Sequence, residues 1–221
     1  MDEQRWAAVD DYTAGLFIAR DEALESALAG SAAAGLPEIT VSPVQGKLLM
    51  LLAQATGARH ILEIGTLGGY STIWLARALP EDGRLITLEY SPLHAEVARR
   101  NIDGAGLGGK VEVRVGRAQD TLRLLVEESL EPFDLIFIDA DKQGYPEYLK
   151  WSLQLSRSGT VIIADNVVRN GEVIAEDVDD PIILGIRRFN ELLAAEPRVS
   201  ATILQVVGSK GYDGLAMALV Q

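Results

Sequence analysis

Hydrophobic and polar residues follow two alternating patterns along the 221-residue chain. Short apolar runs of strand length recur from residue 60 onward, and segments with helical spacing separate the first five of them. Strands that alternate with helices are typical of a parallel sheet with helices on both faces. Seven apolar runs predict seven strands: His60–Ile64, Arg84–Glu89, Val111–Val115, Asp134–Asp139, Thr160–Asp165, Ala201–Val207 and Gly214–Val220.

The last two runs are joined by residues 208–213 alone. A connection of this length cannot hold a crossover helix, so the last strand is predicted to be antiparallel to its neighbour. The predicted fold is therefore an α/β fold of the Rossmann-like, doubly wound type. Its seven-stranded sheet is expected to be parallel except for the last strand.

The residues before the first strand form a separate segment. Helical spacing from about Asp10 to Ala29 predicts one helix, and residues 36–41 predict an extended link. Residues 42–45, Ser-Pro-Val-Gln, predict the start of another helix, because serine can cap it, proline suits its first position and glutamine can bond back to the cap. We expect one domain, in which residues 1–41 are an N-terminal helical extension and link and residues 42–221 form the core.

Composition excludes several classes of function. The chain has 32 acidic and 20 basic side chains, and the resulting net charge of −12 disfavours a nucleic-acid partner. Cysteine is absent, which excludes disulfides and thiolate metal sites. The apolar runs are too short to span a bilayer, and the first residues lack the regions of a secretory signal. We expect a cytoplasmic protein that acts on a small molecule and has no membrane partner.

A glycine-rich turn, residues 65–69, follows the first strand and precedes a helix expected near Ser71. Glycines let the backbone turn tightly and approach a ligand closely. Leu67 stands where the G-x-G-x-x-G pattern has its middle glycine, which weakens a dinucleotide interpretation. Glu89 ends the second strand, where a carboxylate can accept hydrogen bonds from both ribose hydroxyls. These features indicate an adenosine-type ligand; the alternative is a structural turn beside a solvated glutamate.

The ends of the fourth and fifth predicted strands bring three candidate oxygen ligands together. Asp139, Asp165 and Asn166 should lie close together, because these strands are expected to be neighbours. Two carboxylates and an amide oxygen suit Mg²⁺, Mn²⁺ or Ca²⁺. Zinc is less suitable, since the only histidines, His60 and His94, lie away from these two strand ends. The alternative is that both aspartates only cap the structures that follow their strands.

From about Glu38 to Val220 the chain resembles the metal-dependent O-methyltransferases that include catechol O-methyltransferase and caffeoyl-CoA O-methyltransferase, and it is most similar to their bacterial small-molecule members. The resemblance rests on residues 62–71, Glu89, residues 137–142 and residues 164–166, in matching order and separation. It implies S-adenosylmethionine (SAM) as methyl donor and a divalent cation, Mg²⁺ in the first place, with Mn²⁺ or Ca²⁺ as alternatives. It also implies a catechol-like vicinal diol as aromatic acceptor, and a homodimer.

The resemblance also implies roles for individual residues. Lys142 is the general base that takes the acceptor's proton, and Asp139 is the other catalytic residue. The cation ligands are Asp139, Asp165 and Asn166. The residues implied to bind the donor are Val41, Glu63, Gly65, Gly69, Ser71, Glu89, Gly116, Ala118, Gln119, Asp139 and Asp141. Arg169 follows the metal pair and either attracts a carboxylated or phosphorylated acceptor or is a solvated loop charge.

Two other functions remain as alternatives. A nicotinamide-dependent oxidoreductase would use a similar adenosine site, but the glycine spacing opposes it. The predicted reversal of the last strand also opposes it, because an all-parallel sheet is usual for nicotinamide dehydrogenases. A non-catalytic protein that binds an adenosyl ligand would need the donor site alone.

Overall fold

The computed structural model describes residues 3–221 and contains a seven-stranded sheet in the order β3-β2-β1-β4-β5-β7-β6. Met1 and Asp2 of the predicted extension lie outside the described residues. Strands β1 to β5 run parallel, and β7 is antiparallel to both β5 and β6, which confirms the predicted fold and its reversed last strand. The strands are β1 His60–Ile64, β2 Arg84–Glu89, β3 Val111–Val115, β4 Phe133–Ile138, β5 Ser156–Asp165, β6 Val199–Gly208 and β7 Gly211–Val220.

The strand ends differ from the prediction mainly after β3. Strand β4 stops at Ile138, so Asp139 lies just beyond the strand and not within it. The last two strands are longer than predicted, because Gly208 pairs directly with Gly211 and leaves a two-residue hairpin turn. Gly211 has a φ of +92°, a conformation that glycine adopts without steric cost.

Residues 3–221 form eight α-helices that cover both faces of the sheet. Helices α6, α7 and α8 pack on one face, and α2 to α5 pack on the other. None of these helices is long and apolar enough to cross a membrane. The helices are α1 Glu3–Phe17, α2 Glu22–Ala33, α3 Pro43–Ala55, α4 Tyr70–Ala78, α5 Pro92–Gly104, α6 Ala118–Glu127, α7 Tyr145–Gln154 and α8 Pro181–Ala195. A 3₁₀ helix spans Lys142–Gly144, and the loop segment Arg169–Ile174 contains short 3₁₀ turns interrupted by a kink at Asn170 and Gly171.

The prediction of one helix from Asp10 to Ala29 is wrong, because two helices occupy this segment. Helix α1 ends at Phe17, and Asp21 caps the start of α2 by accepting a hydrogen bond from the backbone N–H of Leu24 at 3.0 Å. The same carboxylate pairs with Arg77 of α4, where Nη2 lies 3.0 Å from Oδ1. The cap and this tertiary contact mark the start of α2, whereas the helical spacing of the sequence continues across the break.

The predicted start of α3 is confirmed. The hydroxyl of Ser42 accepts the backbone N–H of Gln45 at 3.2 Å, and the Gln45 side chain accepts the backbone N–H of Ser42 at 3.0 Å. Pro43 occupies the first helical position, where its missing N–H costs nothing. The link before it, residues 36–41, contains neither helix nor strand.

Asn101 of α5 joins the N-terminal extension to the glycine-rich turn. Its Nδ2 donates to the carbonyl oxygen of Gly68 at 2.8 Å and to that of Ala27 at 3.2 Å. It also lies 3.3 Å from the hydroxyl of Ser31. A Cβ on Gly68 would lie 2.1 Å from this hydroxyl, so the close packing of α2 against the turn requires glycine there.

Candidate active site

The carboxyl ends of β1, β2, β4 and β5 border a cavity of about 820 Å³. This is the edge at which open α/β sheets bind ligands, and the volume suits a small molecule with a cofactor. Most of the predicted site residues line the cavity: Val41, Gly65, Ser71, Glu89, Gly116, Ala118, Gln119, Asp139, Asp141, Lys142 and Asn166. The predicted residues that do not line it are Glu63, Gly69 and Asp165.

The glycine-rich turn fits tightly against the end of β4. Gly65 has a φ of +106°, and a Cβ there would lie 2.1 Å from the carbonyl oxygen of Asp139. Gly69 has a φ of +82° and precedes α4 without a side-chain cap. Both conformations favour glycine, and the bare turn leaves the start of α4 open beside the cavity.

Glu89 is buried at the end of β2 and held by the backbone. Its Oε2 accepts the N–H of Leu67 and its Oε1 accepts the N–H of Ser91, both at 2.8 Å. Each carboxylate oxygen can accept a further hydrogen bond. The side chain is therefore fixed in place while it retains accepting capacity toward the cavity, as a ribose-binding acid requires.

Glu63 lies behind the cavity wall and is completely buried. Its carboxylate accepts hydrogen bonds from the hydroxyls of Ser71 at 2.6 Å and Thr87 at 2.7 Å, and from Thr72. Burial raises the pKa of Glu63 to about 7, although the three hydroxyls oppose the rise. Glu63 therefore acts on the cavity through Ser71, which lines it.

The segment after β3 forms the opposite end of the cavity. Gly116 has a φ of +151°, and its N–H donates to the carbonyl oxygen of Glu89 at 2.9 Å. Ala118 and Gln119 begin α6 directly after this turn. The three predicted residues thus meet Glu89 at one place, which suits an adenine ring attached to a ribose.

Asp139 and Asp165 lie side by side at the ends of the neighbouring strands β4 and β5. Ile138 pairs with Ala164, so the residues that come next, Asp139 and Asp165, lie at the same level of the sheet. Asp165 is 4% exposed, and its Oδ1 accepts the backbone N–H of Asn166 at 2.8 Å. Burial and the negative charge of Asp139 raise the pKa of Asp165. The sheet thus brings together two carboxylates that repel each other.

Lys142 lies at the acidic end of the cavity. Its Nζ is 2.7 Å from Oδ1 of Asp139 and 2.8 Å from the hydroxyl of Tyr145. That hydroxyl in turn donates to the backbone carbonyl of Asp165 at 2.9 Å. The ammonium group is therefore held beside both strand ends, with the side chain mostly buried.

Asp141 caps the short 3₁₀ helix that contains Lys142. Its Oδ2 accepts the backbone N–H of Gly144 at 3.0 Å, and its Oδ1 accepts the hydroxyl hydrogen of Tyr148. Burial, followed by the hydrogen bond to Asp141, raises the pKa of Tyr148, which keeps the phenol protonated as a donor. This carboxylate is fixed by contacts that leave it on the cavity wall.

Several cavity residues were not identified from the sequence, among them His94, Arg117 and Tyr148. His94 lies in the first turn of α5, and its Nδ1 is 3.5 Å from Oε1 of Glu89. Its spacing from the Ser91 cap could have placed it beside the strand end. Tyr148 follows Asp141 by two helical turns, a spacing that brings side chains to one face. Arg117 had no comparable signal.

No group of three or more His, Asp or Glu side chains within residues 3–221 is arranged to hold a metal ion. The predicted ligands differ from such a group, because they consist of two carboxylates and one amide. A second cavity of about 520 Å³ lies at the amino ends of the strands. Two of its polar side chains lie beside carboxylates, His60 beside Glu131 at 3.4 Å and Arg114 beside Glu128 at 2.7 Å. The chemistry predicted from the sequence therefore belongs to the larger cavity.

Comparison with known proteins gives a consistent result. Residues 19–219 match the model of a family described as O-methyltransferase. A catechol O-methyltransferase from Niastella koreensis is 57% identical over 221 residues, which is all of both chains. The crystal structure of an O-methyltransferase from Bacillus cereus in complex with SAH has a TM-score of 0.98, with 60% identity over all of both chains. TomG, an O-methyltransferase from Streptomyces achromogenes involved in tomaymycin synthesis, was solved in complex with SAM. It has a TM-score of 0.96, with 50% identity over 100% of this chain and 99% of its own.

Proposed function

The chain belongs to the O-methyltransferase family and is a SAM-dependent O-methyltransferase, and on this premise we propose that it methylates one hydroxyl of a catechol-like acceptor with the help of a divalent cation. Family membership favours methyl transfer over the oxidoreductase and the non-catalytic alternatives. A relative with 57% identity carries the name catechol O-methyltransferase, which supports this acceptor class.

The observation that carries the proposal is the pair of carboxylates at the ends of β4 and β5. Asp165 is almost completely buried beside Asp139, while the ammonium of Lys142 is already paired with Asp139. Burial, followed by the negative charge of Asp139, raises the pKa of Asp165, and a second positive charge would relieve this repulsion. Asn166 adds an amide on the cavity wall. A hard divalent cation such as Mg²⁺ fits this oxygen set, with acceptor oxygens and water as further ligands.

Separate residues bind the donor, hold the cation and accept the proton. Glu89, Asp141 and Ser71 line the part of the cavity that we assign to SAM, which supplies the methyl group. Asp139, Asp165 and Asn166 would hold the cation, which when bound polarises the two acceptor oxygens. Lys142 lies beside the cation ligand Asp139. In its neutral amine form, Lys142 can take the proton of the attacked hydroxyl. The acceptor oxygen then gains the methyl group as SAH leaves.

The cation requirement is tested with Asp165→Asn, which keeps the shape of the side chain and removes its charge. Methyl transfer to a catechol should need added Mg²⁺ or Mn²⁺ and stop with excess chelator. The variant should lose at least the 10–100-fold in activity that loss of a supporting metal contact costs. Asp120→Asn, in the exposed first turn of α6, is the matched control and should retain activity. Full activity of wild type in chelator would overturn the cation-dependent part of the proposal.

We also propose that the chain forms a homodimer through α1 and β6. Helix α1 has no buried residue and exposes Tyr12 and Phe17, and the edge strand β6 exposes Leu204 and Val207. Exposed apolar surface next to a sheet edge is typical of a protein–protein interface. Sedimentation velocity should find a dimer that Leu204→Lys weakens, whereas Leu184→Lys on α8 should not. A monomer at tens of micromolar protein would contradict this proposal.

A further inference from the structure

The loop after β5 has an unusual backbone. Asn166, Arg169 and Asn170 have φ values of +59°, +50° and +53°, and Gly171 follows with +85°. Residues other than glycine adopt this left-handed region at a steric cost, and asparagine tolerates it better than most. Such strain persists only where the surrounding structure holds it, and it is concentrated at functional sites.

Contacts hold this loop at both ends. Oδ1 of Asp213 on β7 accepts the backbone N–H groups of Val168 at 3.0 Å and of Arg169 at 2.8 Å. At the far end, Arg187 of α8 donates to the backbone carbonyl of Val173 at 2.8 Å. The position of Arg169 therefore depends on the fold and does not require a bound ligand.

The guanidinium of Arg169 has donors to spare. Its side chain lines the same cavity as Asn166 and Lys142. Within residues 3–221, no acceptor lies within hydrogen-bond distance of it, and its nearest carboxylate oxygen, Oδ2 of Asp213, is 3.7 Å away. By contrast, Nζ of Lys142 already donates hydrogen bonds to Asp139 and Tyr145. The backbone of Arg169 is thus fixed, and its partly exposed guanidinium can still bind an anion at the acceptor end of the cavity.

We propose that Arg169 binds a carboxylate carried by the acceptor, so that the preferred substrates are carboxylated catechols. This inference rests on the proposed function, because it assigns the substrate class of the same site. A planar guanidinium matches a carboxylate through two parallel hydrogen bonds. A dianionic phosphate suits this one guanidinium less well, since the carboxylate of Asp213 already lies 3.7 Å from it.

The first test compares caffeate with its methyl ester, which keeps the diol and removes the charge. Arg169→Asn is the variant, because asparagine tolerates the left-handed backbone of this position. With SAM and Mg²⁺, the variant should lose about 10-fold or more in kcat/KM for caffeate and keep the wild-type value for the ester. Arg169→Lys should restore part of the loss. Arg188→Asn, on the exposed side of α8, should change neither substrate.

Three results would overturn the inference. Wild type could use the ester as well as the acid, or Arg169→Asn could slow both substrates equally, as a merely structural role predicts. The third is weaker binding of SAH to Arg169→Asn in isothermal titration, because Arg169 would then serve the carboxylate of the donor. Unchanged SAH affinity with loss of the acid preference supports the inference.

A binding measurement separates this inference from the proposed function. Cinnamate, which has no hydroxyl, is titrated into the SAH complex without metal, with cinnamamide as the neutral control. Binding of cinnamate that is lost in Arg169→Asn supports the carboxylate site even if no catechol is methylated, in which case the diol part of the proposed function is wrong. Cinnamate binding that is equal in both proteins overturns the inference whatever the methylation assays give.

Discussion

The donor half of the cavity, around Glu89, and the acceptor half, around Asp139 and Asp165, hold their carboxylates in different ways. Glu89 accepts two backbone N–H groups, so its charge is compensated without any ligand. Asp165 accepts one N–H and lies buried beside another carboxylate, with one lysine for both. The donor half is therefore complete in the folded chain, whereas the acceptor half needs another positive charge.

Replacement of Lys142 should give the largest effect, a lower rate of methyl transfer with little change in the donor half of the cavity. Lys142→Met removes the proposed proton acceptor, and general-base catalysis contributes on the order of 10²–10⁴-fold in rate. We expect kcat to fall by that factor while the affinity for SAH, measured by isothermal titration, stays nearly constant. This result would show that the acceptor half is impaired while the donor half still binds its ligand.

Two further lysine variants test whether Lys142 supplies a proton acceptor or only a positive charge. Lys142→Arg keeps the positive charge beside Asp139 but cannot accept a proton, so it should be as slow as the methionine variant. Recovery of activity in the arginine variant would show that charge and not proton transfer is what Lys142 supplies. Lys150→Met, exposed on α7, should have wild-type kinetics.

The second prediction concerns the buried carboxyl behind the donor half. The pKa of Glu63 rises from 4.5 to about 7 on folding, so the folded state binds its proton more tightly. This contribution to stability is present below pH 4.5 and is lost as the pH rises through 7, in total about 3 kcal/mol. Glu63→Gln cannot ionise, so its stability relative to wild type should increase by about that amount between pH 4 and pH 8.

Urea unfolding of both proteins at the two pH values measures this difference, in which the titration of all other groups cancels. Glu191→Gln on the exposed surface of α8 should keep a constant difference from wild type. A constant difference for Glu63→Gln as well would mean that the pKa of Glu63 is the same in the folded and unfolded states, because the three hydroxyls offset burial.

The smallest effect is expected where the two halves meet. Tyr148→Phe removes the hydroxyl that donates a hydrogen bond to Asp141 and fixes its position. The loss of one hydrogen bond costs about 1 kcal/mol, so the affinity for SAH should fall about fivefold. The rate with saturating SAM should change less than the affinity. Tyr212→Phe, which removes a phenol bonded to Gln205 on β6, is the control. A loss confined to kcat would instead assign Asp141 to the acceptor half.

The sequence predicts the sheet well because its signals are local. Strands β1, β2 and β3 match the predicted residues, since each apolar run ends where a turn begins. The break between α1 and α2 was missed because the helical spacing continues across it, although Asp21 is a local cap of α2. The pairing of Asp21 with Arg77 of α4 is a further contact at this boundary that spacing cannot reveal.

The same distinction applies to the site. Residues at strand ends were predictable, because the fold alone carries Glu89, Asp139 and Asn166 to one edge. Whether a side chain faces the cavity or lies behind it depends on its partners in space. Glu63 and Asp165 share strand-end motifs with lining residues, yet both are almost completely buried and neither lines the cavity. The hydrogen bonds of Glu63 and the repulsion between Asp139 and Asp165 become visible only in three dimensions.

The amide of Asn101 has a consequence for protein engineering. Because it joins Ala27 and Ser31 of α2 to Gly68, the N-terminal extension supports the turn that we assign to the donor. A chimera that exchanges residues 1–41 between relatives to alter acceptor preference would therefore also change the support of the cofactor. Such exchanges should carry Ser31, Gly68 and Asn101 together, as one transplantable unit.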